Sequence, residues 1–165
     1  MAHKEVIEPR IVLFPEKKGV GCRMTMSSSN LRMKELWGRF MPRRKEVLYV
    51  GSPNLISLAV YGPTYFENFD ATHEFERWAL VEVDTIDQVP DGMEPFLIPR
   101  GSYAVFTFKG SSKEVTDFFQ FIYTTWLPSS GYVLDQRPHF EILGARYKNE
   151  DPESKEEIWI PVIQK

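Results

Sequence analysis

The segment from Tyr103 to Pro161 constrains the fold most, because it holds the clearest helix of the chain between β-like stretches. Ser111 and Glu114 have the spacing of a capping box, and the apolar residues after them recur at helical intervals as far as Leu127. The preceding SYAVFTFKG and the following HFEILGARY and EEIWIPVI are rich in β-branched and aromatic residues. The segment therefore predicts the order strand, helix, strand, strand.

The first half of the chain repeats this order less clearly. A bent or bulged strand is predicted over residues 10–26, and SSSN then offers N-caps for a helix from Met33 that ends near Pro42. Residues 55–62 and 75–84 have the composition of two further strands. Two β-α-β-β units, about residues 10–86 and 100–163, most simply form antiparallel sheets with helices on one face, which is an α+β fold. A chain of 165 residues suits a single domain made of two such fused halves.

Composition excludes several classes of function. The net charge of −3 gives no general attraction to nucleic acid, which needs a clustered positive surface. The N-terminus lacks the apolar core of a signal peptide, and no apolar run approaches the length of a membrane helix, so a cytoplasmic protein without membrane contact is expected. One cysteine, Cys22, and three histidines without ligand spacing predict neither a metal site nor a cofactor.

Period-two alternation divides each predicted strand between two faces of a sheet. We expect the aliphatic set to face the helices, namely Ile56, Leu58, Val60, Ala79, Val81, Val83, Phe140, Ile142, Ile158, Ile160 and Val162. The opposite face then carries Tyr61, Trp78, Trp159 and the carboxylate Glu141. Because an aromatic face at the junction of two halves is typical of a binding site, a ligand cleft is expected there. The aromatic loop after Tyr61, with Tyr65 in it, either pins itself to the body or lines the mouth of the cleft.

The ordered motifs WALVEV, VPDGM…IPRGSYAVFTFKG, WLPSSGY, HFEILGARY and EEIWIPV resemble the effector-binding domain family of gyrase-inhibitor-like (GyrI-like) proteins. This module is attached to many AraC-type and MerR-type multidrug regulators. The resemblance covers about residues 8–163 and implies two β-α-β-β repeats with a cleft between them. It implies that Glu141 lies at the cleft floor among tyrosines and tryptophans and engages cationic or aromatic ligands. The sequence departs from the family at Leu143, where a tyrosine is common. Because the domain takes up the length and leaves no helix-turn-helix segment, direct DNA binding is not expected.

Three functions are compatible with these features. The first is a stand-alone binder of a small cationic, aromatic or amphipathic molecule, with Glu141, Trp159, Trp78, Tyr61, Tyr103 and Tyr65 as ligand contacts. The second is a hydrolase in which Glu141, helped by Tyr61 or Tyr103, activates water as a general base. The third is a protein-interaction module of the gyrase-inhibitor type, with the acidic residues 150–157 as a possible surface. Glu141 has an alternative as an ordinary strand carboxylate paired with Arg137 or Arg146.

Overall fold

The computed structural model describes residues 8–67, 70–144 and 155–165, which form an antiparallel sheet with helices on one side. Its strands are β1 (Arg10–Phe14), β2 (Lys17–Ser27), β3 (Val50–Val60), β4 (Glu74–Val83), β5 (Glu94–Ile98), β6 (Gly101–Lys109), β7 (Tyr132–Leu134), β8 (His139–Leu143) and β9 (Lys155–Gln164). The helices are α1 (Met33–Phe40), α2 (Ser112–Phe121) and the short α3 (Leu127–Ser129). The predicted α+β class and the antiparallel arrangement are confirmed.

The two halves of the chain share one continuous sheet. Its strand order is β1-β6-β9-β8-β3-β4-β2-β5, and β7 adds to β9. The halves meet where β3 pairs with β8, with Ser57 opposite Glu141 in the register. The predicted first strand is two strands, because the chain breaks at Pro15 and Glu16 and β1 crosses to pair with β6 of the second half. β5 lies between the two predicted units, where no strand was predicted.

The two longer helices cover the same side of the sheet. α1 buries Leu36 and Phe40 against residues that include Val20 and Val81. No side-chain hydrogen bond caps α1, so the predicted SSSN cap is wrong; instead the N–H of Asn30 donates to the carbonyl of Ser27 in a turn. α1 continues into a 3₁₀ turn, Met41–Glu46.

α2 has the predicted capping partners, since the Ser111 N–H donates to Glu114 Oε1 at 3.0 Å. It continues through a π-helical turn, Ile122–Trp126, into α3. Its apolar stripe, which includes Phe118 and Trp126, packs on Phe106 of β6.

The side of the sheet away from the helices is also a buried core. Phe14 of β1 contacts Tyr103, Phe140 and Trp159, with ring centroids 5.6, 5.2 and 5.1 Å away. This core includes Ile56, Leu58, Trp78, Leu80, Ile98, Tyr103, Val105, Phe140 and Trp159, with Val60 and Ile142 packed against it. The expectation that Ile56, Leu58, Val60, Phe140 and Ile142 face the helices is therefore wrong. The curled sheet and its edge strands enclose a second apolar interior, so aliphatic residues are needed on both faces.

The corrected alternation puts Glu141 on the helix side of the sheet. Leu143, two residues further along β8, packs in the same cluster as Leu36 and Phe40 of α1. Ser57 and Glu141 are register partners and share this side. Within the ranges described above, no helix is long and apolar enough to cross a membrane. Residues 145–147 of the predicted HFEILGARY strand and residues 150–154 of the acidic segment 150–157 lie outside the described residues.

Candidate functional site

Glu141 forms an ion pair at the seam between the two halves. Arg77 Nη2 lies 3.4 Å from Glu141 Oε1 and donates to Ser57 Oγ at 2.5 Å. Both charged side chains are largely buried, with 13% of Arg77 and 17% of Glu141 exposed. β3 separates β4 from β8, and its small residues Ser57 and Ala59 let the long Arg77 side chain reach across it. A buried carboxylate therefore sits on the sheet between α1 and α2.

Glu156 of β9 is a second carboxyl group at this seam. It is only 4% exposed, and it hydrogen bonds to Glu141. Burial raises the pKa of Glu156 to about 10, with further contributions from the hydrogen bond and the negative charge of Glu141, while Arg77 opposes the shift. At neutral pH Glu156 therefore keeps its proton and donates it to Glu141. Glu156 Oε2 and Arg77 Nε are buried without a hydrogen-bond partner among the residues that the structure describes.

Aromatic side chains form a box beside the carboxyl pair. Tyr61 and Tyr65 follow β3, with ring centroids 4.6 Å apart, and Tyr61 meets the His139 ring edge-on at 4.9 Å. Tyr123, from the π-helical turn, lies with its hydroxyl 2.8 Å from His139 Nδ1. We call Tyr61, Tyr65, Tyr123 and His139 the aromatic box.

The ring of Phe66 fills this box. It stacks on Tyr123 at 5.2 Å and 27° and on His139 at 5.3 Å and 19°, yet 41% of Phe66 is exposed. Cavities of about 340 Å³ beside Arg43 and about 330 Å³ beside Arg39 lie outside the box. A residue of the chain itself thus stacks on two rings of the box.

The box carries no charge of its own at neutral pH. Burial, followed by the charges of Arg77 and Arg137, lowers the pKa of His139 to about 3. Burial also raises the pKa values of Tyr61 and Tyr123. The negative charge available to a ligand therefore comes from Glu141, since Glu156 keeps its proton at neutral pH.

The structure brings together three of the six predicted ligand residues, Glu141, Tyr61 and Tyr65. It places Trp78, Trp159 and Tyr103 on the opposite side of the sheet. There Trp159 stacks on Phe140 at 5.3 Å, and Tyr103 is fully buried with its hydroxyl donating to the Pro138 carbonyl. The predicted cage of tryptophans around Glu141 is wrong because Glu141 and the tryptophans point in opposite directions. Of the two tyrosines considered for a hydrolytic mechanism, only Tyr61 shares the face of Glu141.

Sequence reasoning missed Arg77, Glu156, Tyr123 and His139, and it named Phe66 only as part of the aromatic loop that pins itself to the body or lines the mouth of the cleft. Two of them could have been predicted from the alternation along the strands. Arg77 lies on the same face of its strand as Ala79 and Val81, and Glu156 lies on the same face as Ile158 and Ile160. All four of these apolar residues were expected to face the helices. Among the described residues, Glu141 pairs with Arg77 and not with the predicted Arg137, which pairs with Asp135 at 2.6 Å; the other predicted partner, Arg146, lies outside the described residues.

Comparison with known proteins identifies the class. Residues 7–163 match the GyrI-like small molecule binding domain family. The chain is 30% identical over 165 residues to the transcriptional regulator BrlR of Pseudomonas aeruginosa, in a match that covers 98% of this chain and 58% of that regulator. The chain thus spans little more than half the length of this relative. It belongs to the GyrI-like small molecule binding domain family.

Solved structures share the fold at lower sequence identity. The C-terminal domain of EcmrR has a TM-score of 0.72 and 15% identity, covering 98% of this chain and all of that domain. The protein SAV2435, solved bound to tetraphenylphosphonium, has a TM-score of 0.68 and 15% identity, covering 95% and 94% of the two chains. A hydrolase from Listeria innocua has a TM-score of 0.52 and 14% identity, covering 94% and 92%.

Proposed function

We propose that this domain binds a small organic cation with aromatic groups, and that the ligand enters the aromatic box above Glu141. The observation that carries the proposal is a buried carboxyl pair, Glu141 and Glu156, lying beside a box of aromatic rings at the seam. The family and the tetraphenylphosphonium bound to a protein of the same fold support it.

The box suits flat or ring-bearing cations for two physical reasons. A cation over a tyrosine face gains about 0.5 to 2 kcal/mol, more when water is excluded. A ligand ring can also take the place of Phe66 against Tyr123 and His139, so that the stacking lost by Phe66 is regained by the ligand. Since Arg77 already neutralises one carboxylate, the site discriminates by fit to the rings as well as by charge.

Glu141→Gln tests the proposal by isothermal titration with tetraphenylphosphonium. Loss of the carboxylate nearest the box is expected to weaken binding about tenfold or more, since a Coulomb attraction of only about 1.4 kcal/mol between a partly buried carboxylate and a cation already accounts for a factor of ten. Because Glu156 can ionise and pair with Arg77 once Glu141 is neutral, the double variant Glu141→Gln/Glu156→Gln is expected to lose more.

Glu157→Gln is the matched control. Glu157 neighbours Glu156 in β9 but points to the other side of the sheet, where it pairs with Arg10 and is 37% exposed. The Glu157→Gln variant is expected to bind tetraphenylphosphonium with wild-type affinity. Unchanged affinity in both the single and the double variant would refute the proposed site.

A further inference from the structure

The charge balance at the seam fixes the number of protons in the empty site. Among the residues that the structure describes at the seam, two carboxyl groups, Glu141 and Glu156, face one guanidinium, Arg77, and all three are largely buried. Ionising both carboxyl groups would leave an uncompensated negative charge in a region from which water is largely excluded, which is costly. The hydrogen bond between the two carboxyl groups requires a proton on one of them, and Glu156 is the more buried. The empty site is therefore neutral and holds one carboxyl proton.

The other titratable groups around Glu156 do not change charge near neutral pH. β8 contributes His139, which is neutral because burial lowers its pKa to about 3. Tyr61 after β3 and Tyr123 after α2 have pKa values raised by burial. β4 contributes the permanently charged Arg77, and β3 contributes the hydroxyl of Ser57. Among the described residues at the seam, the exchangeable proton between pH 6 and 9 is thus that of Glu156.

We propose that the site exchanges a proton for its ligand: a monocation that binds beside Glu141 releases the proton of Glu156, which becomes the second carboxylate of the bound state. This inference rests on the proposed function. Before binding, Arg77 and Glu141 cancel and Glu156 is neutral. After binding, the cation and Arg77 balance two carboxylates, and the proton passes to the solvent. The exchange leaves the buried site neutral in both states.

Proton release has two measurable consequences. Affinity for a permanent cation rises with pH, by up to about tenfold per pH unit when one proton leaves per ligand bound. The rise holds between the pKa of Glu156 in the bound state and its higher pKa in the empty state. A neutral molecule of the same shape supplies no charge to replace the proton, so its binding is independent of pH. Glu156 is therefore the residue that selects cations over neutral ligands.

The test has two parts. Isothermal titration with tetraphenylphosphonium at pH 7.5 in phosphate and in Tris, whose heats of ionisation differ, counts the protons released on binding. Titrations from pH 6 to 9 give the affinity as a function of pH. Tetraphenylphosphonium does not titrate, so every proton counted comes from the protein. The wild type is expected to release close to one proton per ligand. Glu156→Gln, which keeps a hydrogen-bond donor to Glu141, is expected to release none and to bind with one affinity at all these pH values. Triphenylphosphine oxide, the neutral probe, is expected to release none from either protein.

Each outcome decides between the two proposals. Binding of tetraphenylphosphonium without proton release, or release that persists in Glu156→Gln, overturns proton exchange and leaves the proposed function standing. Absence of tetraphenylphosphonium binding to the wild type overturns both. If circular dichroism shows that Glu156→Gln does not fold, the wild-type proton count with the cationic and the neutral probe still decides the matter, because equal release with both probes overturns the exchange.

Discussion

Replacing Glu156 by glutamine is expected to stabilise the ligand-free protein at neutral pH. In the unfolded chain Glu156 has the ordinary pKa of 4.5, whereas in the folded protein its pKa is about 10. Folding at pH 7 must therefore take up a proton. The cost is about 1.4 kcal/mol per pH unit over the 2.5 pH units from 4.5 to 7, or about 3.5 kcal/mol. A glutamine side chain at this position would supply the same hydrogen-bond donor without proton uptake, so Glu156→Gln should recover about this amount.

The gain in stability from Glu156→Gln is expected to depend on pH. A carboxyl group whose pKa is higher in the folded than in the unfolded protein costs no stability below its unfolded pKa. It destabilises the folded protein increasingly as the pH rises toward its folded pKa. The advantage of Glu156→Gln should accordingly be small near pH 4.5 and grow by about 1.4 kcal/mol per pH unit between about pH 5 and 9. Urea unfolding followed by circular dichroism measures it, with Glu157→Gln expected to stay within about 0.5 kcal/mol of the wild type throughout. An advantage that does not change with pH, or a variant less stable than the wild type at pH 7, would refute the assignment of the buried proton to Glu156.

Two further predictions concern the aromatic box. Phe66→Ala should bind tetraphenylphosphonium about two- to tenfold more tightly in the same titration, because the ligand no longer displaces a stacked ring worth about 0.5 to 1.5 kcal/mol; weaker binding would show that Phe66 contacts the ligand instead of competing with it. His139 has a folded pKa of about 3 against 6.5 in the unfolded chain, so its neutral form contributes stability that is lost as pH falls from 6.5 toward 3. Relative to His139→Gln, the wild type should therefore lose about 3 kcal/mol between pH 7 and pH 4 in urea unfolding; parallel losses in the two proteins would contradict this.

Local pattern was enough to predict most of the elements. The pairing of Ser111 with Glu114 and the apolar stripe after it define α2, and the strand composition defines most of the sheet. Alternation also placed Trp78 and Trp159 correctly away from the helices. These features depend on neighbours within a few residues, which the sequence displays directly.

The side on which Glu141 lies could not be read from the same pattern. Aliphatic residues fill both faces of β3 and β8, because β1 brings Phe14 over the helix-free side and closes a second core there. β1 pairs with β6, which is distant in the sequence, and no pattern in the residues near either strand predicts this pairing. The rule that the aliphatic face meets the helices holds for β9, yet it fails for Phe140 on the neighbouring strand.

A crystal structure with tetraphenylphosphonium bound would show whether the ligand lies where we propose. We expect the phosphonium at the seam close to Glu141, with a phenyl ring against Tyr123 and His139 in the place of Phe66. Rings within about 6 Å of the cation should be those of the aromatic box. Tetraphenylphosphonium bound on the helix-free side beside Trp78 and Trp159, or in the cavity beside Arg43, would contradict this expectation.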